Sequence, residues 1–300
     1  ITTAITLYYQ TAIKSGIRYN RCLLNLKPGG SVTFGSIFKA YDVRGKVGSE
    51  LTPEVTQKIG KAFGQWLPGN GPVAVGRDMR PDSQELADAL VEGLLNQGRT
   101  VWDIGEVTSD MIYFAVGRNN LSGGVMITAS HNPGKDNGIK LYRDQVIAVG
   151  LDAGLSEIRD KVINNKISPP CDTRGKVSKK FITKEWIDHC LNFVRELKPY
   201  SIAIDAGNGM AGAVLPKILP KLPVHSQNLY FELDGTFPNH EANPQKIENL
   251  KDLIKIVQKN YLDFGIAFDG DGDRAVFVDD LGRLVLGTDL ISIISRHYLQ

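Results

Sequence analysis

From about Ser36 onward, short apolar runs alternate with segments whose apolar residues recur every three or four positions. Val55, Ile59 and Phe63 share one face of a predicted helix, entered through Thr52 as cap, Pro53 at the first helical position and the early acid Glu54. Pro72-Val-Ala-Val is a predicted strand, followed by the loop Gly76-Arg-Asp-Met-Arg-Pro81 and a helix with Leu86, Leu90 and Leu94 on one face. A strand around Thr100–Ile104, a helix near Ser109–Val116 and the strand Gly124–Thr128 complete this first set. Strands separated by helices of this length imply βαβ units. The expected fold class is α/β: repeated three-layer α/β/α domains with mixed, mainly parallel sheets.

A polar stretch from Asn164 to Lys180, with Pro169-Pro170 and little periodicity, reads as a domain boundary. Beyond it the alternation resumes. A helix with Trp186, Cys190 and Phe193 precedes the strand Ile202-Ala-Ile-Asp205, a glycine turn and a helix around Val214. A helix near Ile247–Val257 leads to the strand Leu262–Phe268. Val276-Phe-Val and Leu284-Val-Leu then flank Asp279-Asp-Leu-Gly282 as a hairpin. Gly287-Thr-Asp opens an apolar helix through Leu290 and Ile294. The expected division is an N-terminal extension at 1–35, a first domain at 36–172, a second at 173–280 and the start of a third at 281–300.

Charge and cysteine content narrow the classes. Thirty-five basic residues against 33 acidic ones leave nothing to attract a nucleic acid or a membrane surface. Three cysteines, Cys22, Cys171 and Cys190, are odd in number and lack C-x-x-C spacing, which fits free thiols in a reducing compartment. The cytoplasm is the expected location. The first acid is Asp42, so residues 1–35 are basic and hydroxyl-rich without an acid, the composition of a transit peptide or of a plain tail.

Two stretches carry chemistry. Thr128-Ala-Ser-His-Asn-Pro-Gly-Lys-Asp-Asn-Gly-Ile-Lys140 presents the hydroxyl of Ser130 on a turn after an apolar strand, where ligands of such sheets bind. His131, Asn132, Lys135 and Lys140 follow within one expected loop and supply donors that hold phosphate. Lys140 is a candidate acid or base if burial beside other cations lowers its pKa.

The second stretch, Asp269-Gly-Asp-Gly-Asp-Arg274, crowds three carboxylates into five residues. At an effective dielectric near 20, two unit charges at about 4 Å repel by about 4 kcal/mol, so three pairs cost on the order of 10 kcal/mol. Such a loop splays into water or holds a cation. An EF-hand is excluded by Arg274 and Asp280 at its sixth and twelfth positions. Apolar strands on both sides argue against a solvated turn, leaving Asp269, Asp271 and Asp273 as an oxygen-only site of the kind Mg²⁺ prefers. Arg274 is placed to neutralise phosphate.

Tyr41-Asp-Val-Arg-Gly45 puts Arg44 in an expected glycine-ended loop, while Arg77, Asp78 and Arg80 read as a structural ion network. Gly207-Asn-Gly209-Met-Ala-Gly212 is a G-x-G-x-x-G after a strand, with Glu232 and Asp234 further on, so a dinucleotide site is a competing reading. Asp205 argues against it, because its carboxylate would face the pyrophosphate.

Together these segments resemble the α-D-phosphohexomutase superfamily, in its phosphomannomutase/phosphoglucomutase branch, over residues 36–300. The resemblance rests on Tyr41–Gly45, Thr128–Pro133, Asp205–Gly209, Asp234–Pro244 and Asp269–Arg274. It implies a phosphosugar mutase that interconverts hexose 1- and 6-phosphates, of glucose or mannose, through a phosphoserine and a bisphosphorylated sugar. On that resemblance Ser130 carries the phosphoryl group, and Ser130, Asp269, Asp271 and Asp273 hold Mg²⁺. Tyr41, Arg44, Asn132, Lys140 and Arg274 line the substrate site, with His131 beside Ser130. The family's sugar loop, Gly-Glu-x-Ser-Gly-His, and its Ser/Thr/Gly-rich phosphate loop do not occur. The chain is therefore expected to be an incomplete mutase, inactive alone and partnered by the rest of its own third and fourth domains, or else a non-catalytic metal- or phosphosugar-binding remnant.

Overall fold

A computed structural model describes residues 34–299, so the expected N-terminal extension lies, but for its last two residues, outside the described residues. The first sheet contains β1 (Val43–Lys46), β2 (Val73–Arg77), β3 (Val101–Glu106), β4 (Gly123–Ile127), β5 (Asp136–Arg143), β6 (Ile147–Ala148) and β7 (Val177–Lys179). Its order is β1-β5-β4-β2-β3-β7, with β6 paired to β5. β4, β2, β3 and β7 run parallel, whereas β5 is antiparallel to both β4 and β1.

Helices cover both faces because successive strand residues point to opposite sides. Val73 and Val75 of β2 pack with α1 (Pro53–Trp66), α2 (Ser83–Asn96) and α4 (Leu155–Ile163). Ala74, between them, packs on the other side with α3 (Ser109–Arg118) and α5 (Thr183–Leu191). Thr52 caps α1 as its sequence position predicts, its Oγ1 accepting from the Val55 amide at 3.3 Å.

A second sheet has the order β12-β11-β10-β8-β9. Its strands are β8 (Tyr200–Asp205), β9 (Val224–Leu229), β10 (Phe264–Phe268), β11 (Ala275–Asp279) and β12 (Leu284–Val285). α6 (Ala211–Ile218) covers one face and α7 (Lys251–Lys259) the other. The predicted hairpin is present, with Phe277 opposite Val285. α8 (Gly287–Tyr298) follows it, with Ile291 and Ile293 exposed. No described helix is long and apolar enough to cross a membrane. Both units are three-layer α/β/α with mixed sheets, as expected.

Boundaries and two loops differ from the sequence reading. β7, inside the polar stretch, extends the first sheet, so that sheet runs past residue 172. Trp186 and Ile187 of α5 join the first unit's core beneath α3, although α5 was expected to open the second domain. β12 belongs to the second sheet, so residues 284–285 are not yet a third unit. Arg44 sits on β1 and Lys140 on β5, not in loops. β5 was hidden because its sequence opens with the turn-like Asp136-Asn-Gly138.

Candidate active site

Ser130 follows β4 in the left-handed region, at φ +54°, and is buried. For a residue with a Cβ this conformation costs about 1–2 kcal/mol, so surrounding structure must hold it. The Asp loop joins the antiparallel strands β10 and β11 and meets Ser130 head-on. Ser130 Oγ donates to Asp269 Oδ2 at 2.8 Å and accepts from Arg274 Nη2 at 3.1 Å. The approach requires Gly270, because a Cβ there would lie 2.4 Å from the Ser130 carbonyl oxygen. Arg274 also grips Asp269, with Nε and Nη2 on Oδ2 at 2.8 and 2.7 Å.

Lys140 reaches the same loop from β5. Its Nζ lies 2.6 Å from Asp271 Oδ2 and 2.7 Å from Asp273 Oδ2. Burial alone would lower its pKa, but the two carboxylates outweigh burial and raise it well above the ordinary lysine value. The expectation that neighbouring cations would lower it is corrected: its close partners are anions, so Lys140 is a firmly charged ammonium here. Ser109, at the start of α3, was missed by the sequence reading. Its Oγ donates to Asp271 Oδ2 at 2.5 Å, and its amide donates to the Asp271 carbonyl at 3.0 Å. No sequence signal separates it from an ordinary helix-entry serine.

The three carboxylates titrate as one set. Burial, then the charges of Asp271 and Asp273, push Asp269 upward. Burial opposes ionisation of Asp271 too, but Lys140 and the Ser109 hydroxyl hold its pKa below the usual carboxylate range. His131 is lowered to about 4 by burial and by Arg274 and Arg44, so its ring is neutral at pH 7. Its Nδ1 is 3.4 Å from Ser130 Oγ.

The remaining expected residues divide. Arg44 joins the serine loop, with Nη1 on Asn132 Oδ1 at 2.6 Å and on the Ala129 carbonyl at 3.3 Å. Tyr41 and Lys135 are exposed on the surface, and neither side chain is drawn into this cluster. Arg77 pairs outward with Glu106, whereas Asp78 and Arg80 form a buried pair behind the serine loop.

The carboxylates of Asp269, Asp271 and Asp273 offer oxygens within 4.8 Å of one another. Asp271 Oδ1 is buried without a hydrogen-bond partner, a carboxylate oxygen with nothing to accept from. An all-oxygen donor set with an orphaned carboxylate oxygen fits a hard divalent cation such as Mg²⁺.

The competing dinucleotide site is not built. The amides of the glycine turn that would cradle a pyrophosphate are already spent: Gly207 on Asp205 Oδ1, Asn208 on the Tyr230 carbonyl, Gly209 on Ala206 and Met210 on Gly270. Gly212 lets the Phe231 backbone approach, and the Glu232 carbonyl accepts from Asn208 Nδ2. Asp234 Oδ1 caps its own turn at Thr236. The fingerprint is a packing device.

Comparison with known proteins finds relatives along most of the chain. The family models "Phosphoglucomutase/phosphomannomutase, alpha/beta/alpha domain I" and "domain II" match residues 35–167 and 184–282. A protein of Xanthomonas campestris named for phosphohexose mutases is 39% identical over 264 residues, covering 87% of this chain and 58% of that protein. The phosphomannomutase/phosphoglucomutase of Pseudomonas aeruginosa is 37% identical over 265 residues, covering 87% and 56%. The crystal structure of a phosphoglucomutase/phosphomannomutase family protein from Burkholderia thailandensis superposes with TM-score 0.82 at 30% identity, over 88% of this chain and 59% of that one. The chain thus spans under two thirds of the length of these relatives. Matched through both α/β/α domains, the chain belongs to the phosphoglucomutase/phosphomannomutase family.

Proposed function

We propose that this chain carries the phosphoryl-transfer half of a phosphohexose mutase, which interconverts hexose 1-phosphate and hexose 6-phosphate of glucose or mannose. Ser130 is the phosphoryl carrier. The observation that carries this reading is the 2.8 Å contact between Ser130 Oγ and Asp269 Oδ2, which joins the two chemistry-bearing loops across two separate sheets. An isolated nucleophile loop or an isolated acidic loop would have no reason to meet.

Asp269, Asp271 and Asp273, with an oxygen on Ser130, are the residues to hold Mg²⁺. The chemistry supplied by such an ion is charge stabilisation of the transferring phosphoryl group. The chain's own residues do the rest. When phosphoserine gives up its phosphoryl group, the P–Oγ bond breaks, a bond from phosphorus to a sugar hydroxyl oxygen forms, and that hydroxyl's proton ends on the freed Ser130 Oγ. In the return step Ser130 Oγ bonds to the other phosphorus, the bond from that phosphorus to the sugar oxygen breaks, and the serine's proton ends on the released sugar hydroxyl. Arg274 supplies fixed positive charge beside Oγ, and Arg44 supplies it at the neighbouring Asn132 and Ala129, while neutral His131 adds none. Lys140, held charged by Asp271 and Asp273, is a phosphate-facing cation in this scheme.

The test uses the protein carrying this chain together with the remaining length its relatives possess. Ser130→Ala should abolish conversion of hexose 1-phosphate to hexose 6-phosphate while the fold, followed by circular dichroism, is retained. Normal turnover in that variant would overturn the assignment of Ser130. The 300 residues alone are expected to bind Mg²⁺ and to turn over no sugar phosphate, because transfer needs the sugar held in line with Ser130.

A further inference from the structure

A guanidinium has five N–H donors in a fixed fork. In Arg80 all five are used, and four of them converge on the carbonyls of one loop. Nη2 donates to the Ser130 carbonyl at 3.1 Å and the Asn132 carbonyl at 2.7 Å. Nη1 donates to the Pro133 carbonyl at 2.8 Å and the Asp136 carbonyl at 2.9 Å. Nε donates to Asp78 Oδ2 at 3.1 Å, and the side chain is 1% exposed. Asp78 is itself fixed, because its Oδ1 accepts from Ser83 Oγ at 2.5 Å.

We propose that Arg80 is a positioning residue for Ser130, a mould against which the serine loop is cast and which holds Ser130 in its left-handed conformation. This inference rests on the reading of Ser130 as phosphoryl carrier and metal ligand. The need for a mould is physical: a left-handed serine is strained, and four carbonyls turned inward would repel one another without a shared donor. A lysine cannot replace it. Three tetrahedral N–H groups reach neither the number nor the planar spread of these acceptors.

The second unit seats this mould. The Phe237 ring lies under the guanidinium, 5.0 Å from ring centroid to Cζ, and is nearly buried. Gly235 brings its backbone so close that a Cβ would lie 2.4 Å from Arg80 Cα. Phe237 also abuts the Asp loop, its Cζ standing 3.5 Å from the place a Gly270 Cβ would occupy. One aromatic ring therefore touches the support of the serine loop and the flank of the metal loop. The segment from Asp234 to Phe237 couples the two.

The experiment measures Mn²⁺ binding to the 300-residue chain by the loss of the free-ion electron paramagnetic resonance signal, and records the nuclear magnetic resonance spectrum of metal-free, serine-labelled protein. Variants are Ser130→Ala, Arg80→Lys, Phe237→Leu and the double variants with Ser130→Ala. Outer-shell partners of metal ligands typically contribute about 10- to 100-fold in affinity, so Arg80→Lys should weaken Mn²⁺ about tenfold, and Phe237→Leu somewhat less. The double variant of Arg80→Lys with Ser130→Ala should be no weaker than Ser130→Ala alone, because Arg80 reaches the metal site only through the serine loop. Additive losses, or wild-type affinity in both support variants while Ser130→Ala is weakened, would overturn the proposal. If Arg80→Lys fails to fold, the Ser130 resonance in Phe237→Leu decides: a shifted resonance sustains the mould and an unmoved one removes it. Should Ser130→Ala leave Mn²⁺ affinity unchanged, the metal-ligand reading fails by itself. The Ser130 resonance then decides: a shift from its wild-type position in the support variants sustains the mould, and an unmoved resonance removes it.

Discussion

Lys140 Nζ sits 2.6 Å from Asp271 Oδ2, an ion pair in which the carboxylate is wholly buried and the lysine nearly so. The ammonium occupies part of the coordination space that a metal would claim, since it also bonds Asp273. Lys140 therefore acts as a stand-in cation for the metal-free loop. Lys140→Met should destabilise the metal-free protein by about 3 kcal/mol, because breaking a buried pair leaves an uncompensated charge. The same variant should gain more thermal stability from added Mg²⁺ than wild type does. Melting curves with and without Mg²⁺ check both; equal Mg²⁺-induced shifts would show that lysine and metal do not share oxygens.

Gly270 offers a second test, of the contact between loops. Gly270→Ala places a methyl group against the Ser130 carbonyl, and overpacking of this kind typically costs about 1–3 kcal/mol. The variant should be destabilised by that amount in urea and should bind Mn²⁺ more weakly. Unchanged values of both would mean that the loops separate without penalty.

His240 gives a pH dependence away from the phosphoryl site. Its Nδ1 faces the Glu241 carbonyl and its Nε2 faces Asp205 Oδ2, each at 2.9 Å. Both partners are acceptors, an arrangement that favours the doubly protonated imidazolium. Burial works against that charge, but the Asp205 contact prevails and the His240 pKa is raised. A raised histidine pKa stabilises fully below the unfolded value, near 6.5, and the contribution disappears as pH rises through the folded value. Stability in urea should accordingly fall as pH rises from about 6.5 through the raised folded value. His240→Gln should flatten that part of the profile.

Phosphorylation of Ser130 should tighten Mg²⁺, since it adds between about one and two negative charges beside Asp269. Calorimetry on the phosphorylated and unmodified forms checks this, and equal affinities would place the phosphate away from the ion. NADH fluorescence should show no saturable enhancement, because the glycine-turn amides are already paired.

Much of the fold was legible because its signals are local. Thr52-Pro-Glu announces α1, and the spacing of Leu86, Leu90 and Leu94 announces α2. β5 was not legible, and Lys140 was therefore misplaced in a loop. Its opening residues read as a turn, and its pairing partners, β1 and β4, are distant or antiparallel choices made only in the sheet. Arg80 was read as a structural ion-pair residue, which describes its bond to Asp78 but misses the four carbonyls, since backbone acceptors leave no mark in a sequence.

By itself the sequence determined which groups can do chemistry. A lone serine among donors and three aspartates separated only by glycine have little use in a plain scaffold, because charge crowding in five residues is costly wherever the chain goes. Only the tertiary structure decided what those groups do to one another. It set Asp269 against Ser130, gave Lys140 two anions in place of the expected cations, and recruited Ser109 to Asp271. It also spent the amides of the glycine turn. The reason is distance: pKa and coordination depend on contacts a few ångströms long, and sheet packing, not sequence spacing, sets which residues stand that close.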